Sequence, residues 1–227
     1  FKTKEALKGI SVAFKKNSIT GLLGPNGSGK TTLFNIITGF VDPDAGSIYI
    51  DDEDVSAYSL HRRSELGLTY LPQEASIFRD LTVYENILSV AELFIAKDRI
   101  SEKVNQLIRD FSLEEFIKRK GKFLSGGERR RTEIARALAC EPSFIMMDEP
   151  FAGIDPIAIQ EVKDTIAKLK RNNIGVIITD HNVREALKIV DYAHIIYKGS
   201  LIREGHPNDI VKDEFVKKIY LGQDYQD

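Results

Sequence analysis

Tryptophan is absent from this 227-residue chain, and cysteine occurs once, at Cys140. A lone thiol excludes an intramolecular disulfide framework, so stability must come from a packed core, for which 42% hydrophobic residues give ample material. No apolar run approaches the roughly 20 residues that a membrane-spanning helix needs. No secretory signal pattern is present either, so any membrane association is expected through protein partners and the expected location is the cytoplasm. Charge of one sign is not in excess: 32 Lys and Arg stand against 34 Asp and Glu, a formal net charge of -2 that encodes no bulk attraction to nucleic acid or anionic lipid. Repeats at solenoid spacing and low-complexity tracts are missing. The chain opens at Phe1 without an initiator Met and runs directly into a charged stretch, so the domain is expected to begin upstream.

What is there alternates. Runs rich in β-branched residues, Ile19–Leu23, Phe144–Met147, Val176–Thr179 and His194–Tyr197, read as short buried strands, and helical patterns lie between them, which points to a layered α/β domain. Ser47–Ile50 and Gly67–Leu71 add strand-like segments, and Lys198-Gly199 has the character of a hairpin turn, so the sheet is expected to be mixed. From Thr82 to Gly121 the pattern is helical throughout. Thr82 with Glu85, and Ser112 with Glu115, have the spacing of capping boxes. This predicts a helical subdomain over 74–140, inserted into a core made of 1–73 and 141–227.

Gly24-Pro25-Asn26-Gly27-Ser28-Gly29-Lys30-Thr31 fits G-x-x-x-x-G-K-[ST], and it follows a predicted strand and precedes a helical run opening at Thr32. Glycines let successive backbone N–H groups face phosphates, and the helix N-terminus adds its positive dipole end. Lys30 then supplies a cation to the β- and γ-phosphates of ATP, and Thr31 offers a hydroxyl to Mg²⁺. The run Phe144–Met147 ends in Asp148-Glu149-Pro150, as a Walker B strand would. Asp148 is expected to hold Mg²⁺, while Glu149, pointing to the other face of the strand exit, is placed to polarise an attacking water as general base. His181, in Thr179-Asp180-His181-Asn182, follows another buried strand and reads as a sensor of the γ-phosphate at the same carboxyl edge.

Leu124-Ser125-Gly126-Gly127-Glu128 resembles the signature of ATP-binding-cassette (ABC) ATPases. Ser125 and Glu128 also form a capping-box pattern, and the two readings are compatible, because a capped helix start with two glycines leaves N–H groups and room for an anion. The order of motifs along nearly the whole chain is that of the ABC family, which implies a P-loop NTPase (RecA-like) α/β core with a mixed sheet, an antiparallel β-subdomain and an inserted α-helical subdomain. By the same resemblance Gln73 is the glutamine that touches Mg²⁺ or water and links the core to the helical subdomain. Gly153-Ile154-Asp155 becomes a loop that crosses a dimer interface, and Phe1 the aromatic stacked on adenine. The resemblance further implies a head-to-tail homodimer with ATP between the phosphate loop of one copy and Ser125 to Glu128 of the other, bound to integral membrane transporter subunits.

Within the family, Tyr70 to Arg79, Ser125 to Arg136, Glu149 to Pro156, Ile178 to Glu185 and the tail Tyr220 to Tyr225 are similar to the ATPases of lipopolysaccharide export. The ATPases of branched-chain amino-acid importers are the nearest alternative, and soluble non-transport ABC ATPases a more distant one. Phe78 and Arg79 fall where the family receives a coupling helix of the membrane partner; the other reading puts Phe78 in the subdomain core and Arg79 in solvent. Arg129-Arg130-Arg131 reads as a solvated or interface face of a helix, not as a nucleic-acid site.

Overall fold

Six strands form the spine of the fold in a computed structural model that describes residues 5–152, 156–181 and 183–221. They are β1 (Ile19–Leu23), β4 (Leu68–Leu71), β5 (Phe144–Asp148), β6 (Gly175–Thr179), β7 (Tyr192–Tyr197) and β8 (Ser200–Gly205), in the spatial order β4-β5-β6-β1-β7-β8. Every neighbouring pair is parallel except β7 and β8, which form an antiparallel hairpin. Its two-residue turn, Lys198-Gly199, has both φ angles positive (47° and 81°), as a turn matched to strand twist requires. Parallel strands in register end on the same edge. The residues after β4, β5, β6 and β1 therefore emerge together at the carboxyl edge, and Gln73, Glu149, His181 and the loop opening at Gly24 follow those strand ends.

Alternation along the strands divides the core in two. Leu23, Ile145, Met147, Val176 and Ile178 face one large cluster, whereas Leu22, Met146 and Ile177 face a smaller one with Leu33 and Phe34 of helix α1 (Lys30–Thr38). β1 and β6 are buried along their whole length, which explains why they read as continuous apolar runs. Each such Leu or Ile removed from water contributes about 1.5–3 kcal/mol.

No strand of the main sheet intervenes between β4 and β5. The segment holds α3 (Val83–Phe94), α4 (Ile100–Asp110) and α5 (Gly126–Ala137), which pack against one another and on the large cluster. Both expected capping boxes at α3 and α5 form: Thr82 and Ser125 accept from the N–H of Glu85 and Glu128, and those glutamates bond back to the capping residues' N–H groups. The third does not. Ser112 has φ 50° and ends α4: its N–H bonds Arg109 O, and the N–H of Leu113 bonds Ile108 O. That is a C-terminal cap in which serine takes the place usually held by glycine, with buried Leu113 and Ile108 in the accompanying apolar positions. The early strand is also shorter than expected, because only β2 (Tyr49–Ile50) forms, paired antiparallel with β3 (Glu53–Asp54) in a separate hairpin.

Helix α2 (Leu60–Glu65) carries a residue that looks solvated in sequence and is not. Arg63 is fully buried; Nη1 donates to Ile36 O and Ile37 O at 2.6 Å, Nε to Tyr58 O at 2.9 Å and Nη2 to Ser56 O at 3.1 Å. A guanidinium at the last carbonyls of α1 satisfies acceptors that the helix leaves open and suits the negative end of its dipole. Arg63→Ala strands these partly buried carbonyls together, so the expected loss is about 3 kcal/mol, read as a lower urea midpoint.

Candidate nucleotide site

The loop between β1 and α1 is shaped by close backbone approach. Gly24 has φ 152°, and a Cβ there would stand 2.1 Å from Ile196 O, so no side chain fits without moving β7. The hairpin tip braces the other side: Gly199 N–H donates to Ser28 O at 2.8 Å, and Lys8 N–H to Gly199 O at 2.7 Å. Gly29, in left-handed geometry, precedes α1 and gives its N-terminus no side-chain cap. The buried Ser28 hydroxyl has no protein partner. Lys30 curls back over the loop, with Nζ donating to Gly24 O at 2.7 Å and Pro25 O at 3.1 Å. Burial lowers its pKa, and the carboxylates of Glu149, Asp148 and Asp180 oppose that effect. Uncapped helix N–H groups, an orphan hydroxyl and an ammonium held in the same loop form a receptor for a polyanion.

At the end of β5 the two carboxylates part company. Asp148 accepts from the Thr179 hydroxyl on its paired strand and from Tyr70 Oη at 3.5 Å, and burial followed by the charge of Asp148 pushes the Tyr70 pKa up to about 12. Strand alternation was expected to aim Glu149 away from Asp148. The chain instead leaves the strand there, because Glu149 has φ 44° and its N–H bonds Thr179 O at 3.0 Å. Such a left-handed residue costs about 1–2 kcal/mol relative to ordinary backbone. The turn places Glu149 Oε2 2.7 Å from Gln73 Nε2 and 3.1 Å from His181 Nδ1. Two residues predicted from separate motifs, 76 and 32 positions from Glu149, thus share one of its carboxylate oxygens.

Ser125 and Glu128 make their hydrogen bonds at their own helix start, and Glu128 also pairs with Arg119 at 3.2 Å. Helix α5 nevertheless reaches the carboxylate cluster: Gly126, Arg130 and Glu133 line a cavity of about 40 Å³ together with Gln73, Glu149 and Pro150. The three-arginine run is therefore not one solvated face. Arg130 is buried, donates to Pro72 O at 3.1 Å and pairs with buried Glu133, while Arg131 pairs with Glu161. Glu133 Oε1 accepts from the N–H groups of Ser76 and Ile77 at 2.8 and 3.1 Å, so one turn of α5 grips the chain on both sides of Gln73. The sequence offered one overlooked signal: Arg130 and Glu133 have i, i+3 spacing and so lie on one face. Phe78 is 49% exposed with the Arg136 guanidinium 4.8 Å from its ring centroid, which removes the core reading, and Arg79 is exposed. Phe1 and Asp155, with Gly153, Ile154, Asn182 and the tail beyond Leu221, lie outside the described residues.

A phosphate loop, paired carboxylates and a histidine at the edge of a parallel sheet, with a helical insert between β4 and β5, define the ATP-binding cassette class. The chain belongs to the ABC transporter family, whose model matches residues 7–152, and it is an ATP-binding, ATP-hydrolysing subunit of that family. Among individual proteins it is similar to the lipopolysaccharide export system ATP-binding protein LptB of Escherichia coli K12, with 47% identity over the whole chain and 95% of that protein. LptB of Haemophilus influenzae matches equally, at 47% over 100% of this chain and 95% of its own length. Among solved structures, the ADP conformation of MJ1267, an ATP-binding cassette of an ABC transporter, matches with TM-score 0.87 and 30% identity over 98% of this chain and 95% of that one.

Removing the Glu133 carboxylate leaves the buried Arg130 charge unpaired and frees two backbone donors. Glu133→Ala is expected to destabilise the chain by about 3–5 kcal/mol, measured by urea denaturation, against under about 0.5 kcal/mol for alanine at exposed Glu102.

Proposed function

We propose that the chain powers extraction and export of lipopolysaccharide from the inner membrane, acting as a head-to-tail homodimer on the cytoplasmic face with integral membrane subunits. The observation that carries this reading is full-length 47% identity to LptB proteins from two genera. Among the described residues no helix is long and apolar enough to cross a membrane, so the proposal assigns the path through the bilayer to partner subunits. A dimeric arrangement is supported by the solved ATP-binding cassette MJ0796 in a post-hydrolysis dimer with ADP and Pi, 25% identical with TM-score 0.76.

In this mechanism residues Gly24 to Thr32 cradle the phosphates of ATP, and Lys30 exchanges its loop carbonyls for phosphate oxygens. Mg²⁺ would be held by Thr31, Asp148 and Gln73, where it offsets charge on the β- and γ-phosphates. Glu149 takes the proton of the attacking water, and His181, hydrogen-bonded to Glu149 Oε2, senses the γ-phosphate. Ser125 to Glu128 of one copy close over ATP held by the other, with Asp155 crossing between them and Phe1 stacking on adenine. The core of 1–73 and 141–227 and the helical unit of 74–140 then move as two bodies joined at Gln73. That motion is passed to a membrane partner through Phe78 and Arg79. Co-purification tests the whole reading: the membrane subunits of a lipopolysaccharide exporter should come with the chain, and those of an amino-acid importer in their place would overturn it.

Two variants test its parts. Glu149→Gln keeps shape and hydrogen bonding but loses the base, so turnover should fall by at least about 100-fold while ATP binding persists and an ATP-bound dimer accumulates on size exclusion. Phe78→Ala removes a half-exposed ring and one cation–π contact, so the isolated subunit should lose no more than about 1 kcal/mol of stability yet fail to retain membrane partners in a pull-down.

A further inference from the structure

Behind the site, the chain returns after α9 (Glu214–Val216) in a single π-helical turn, Lys217–Leu221. Its Tyr220 ring packs on the large core cluster, and the hydroxyl donates to Asp180 O, the carbonyl immediately before His181, at 3.2 Å. The same phenolic oxygen faces the backbone N–H of Gly24, the first residue of the phosphate loop. One hydroxyl thus stands between two loops that leave different strands, β1 and β6, and that carry the phosphate receptor and His181. Both loops are constrained at that point: Gly24 has no room for a Cβ, and Asp180 is fully buried. Burial pushes the Tyr220 pKa up to about 12, so the phenol keeps the proton it donates at any physiological pH.

We propose that Tyr220 is a positioning residue for ATP hydrolysis, a strut from the C-terminal segment that fixes the His181 loop relative to the phosphate loop. The inference rests on the reading of His181 as the γ-phosphate sensor. A residue of this kind acts after ATP is bound, because it sets where His181 meets the reacting phosphate and leaves the phosphate cradle itself intact.

The experiment compares full-length parent, Tyr220→Phe, His181→Ala and the double variant in steady-state hydrolysis with ATP and Mg²⁺, together with thermal melts. Phenylalanine keeps the packed ring and removes only the hydroxyl. Tyr220→Phe is expected to keep KM for ATP within about two-fold and to lower kcat about five-fold. In the His181→Ala background it should change kcat by less than about two-fold, because its effect passes through that histidine. Undiminished kcat in Tyr220→Phe beside an impaired His181→Ala overturns the strut and leaves the His181 reading standing. The same holds for a lower melting temperature with unchanged kcat, for a raised KM with unchanged kcat, or for an equal further loss in the double variant. Full turnover by His181→Ala overturns the reading of His181 itself.

Discussion

Parallel pairing of β4, β5, β6 and β1 is the constraint from which the site follows. Their hydrogen-bonded register, with Asp148 opposite Thr179 and Gly21 opposite Ile178, brings four carboxyl ends to one edge. Chain segments more than 100 residues apart then meet there without any side chain having to reach far. The sheet's two-sided burial makes that register hard to slip, since a one-residue shift would exchange the residues facing the two clusters. The left-handed turn at Glu149 is tolerated on this foundation, with the Thr179 carbonyl and hydroxyl both receiving its N–H.

The second organising element is α5, which belongs to the helical insert and yet bonds the segment leaving β4. Arg130 holds Pro72, Glu133 holds Ser76 and Ile77, and Arg136 donates to Ser76 Oγ at 2.7 Å and lies over Phe78. Gln73 is hydrogen-bonded to Glu149 within the stretch that these side chains grip. A displacement of α5 relative to the sheet must therefore be felt both at the carboxylate cluster and at the exposed Phe78 ring. Buried charge pairs of this kind give little net stability but define one arrangement strongly, because each broken bond leaves a charge or a donor uncompensated.

How local a signal is decides whether the chain shows it before folding. The phosphate loop, the apolar strands and the caps at Thr82 and Ser125 were legible because each is decided by neighbours within a few residues: glycine spacing, β-branched runs, or a side chain reaching three positions along. Ser112 misled for the same reason. Its spacing to Glu115 is that of a cap, but buried Leu113 and Ile108 meet only if the helix ends at Ser112.

Taken alone, the sequence determined the α/β class, the nucleotide motifs and their order, since these rest on composition, period and short spacing. Only the tertiary structure decided that Arg63 and Arg130 are buried, that Glu149 leaves its strand through a left-handed turn to join Gln73 and His181, and that Tyr220 lies behind Asp180. Each of these depends on which distant backbone carbonyl or carboxylate arrives beside a polar side chain. That is a question of desolvation and pairing, and it has no answer until the strands have taken their register.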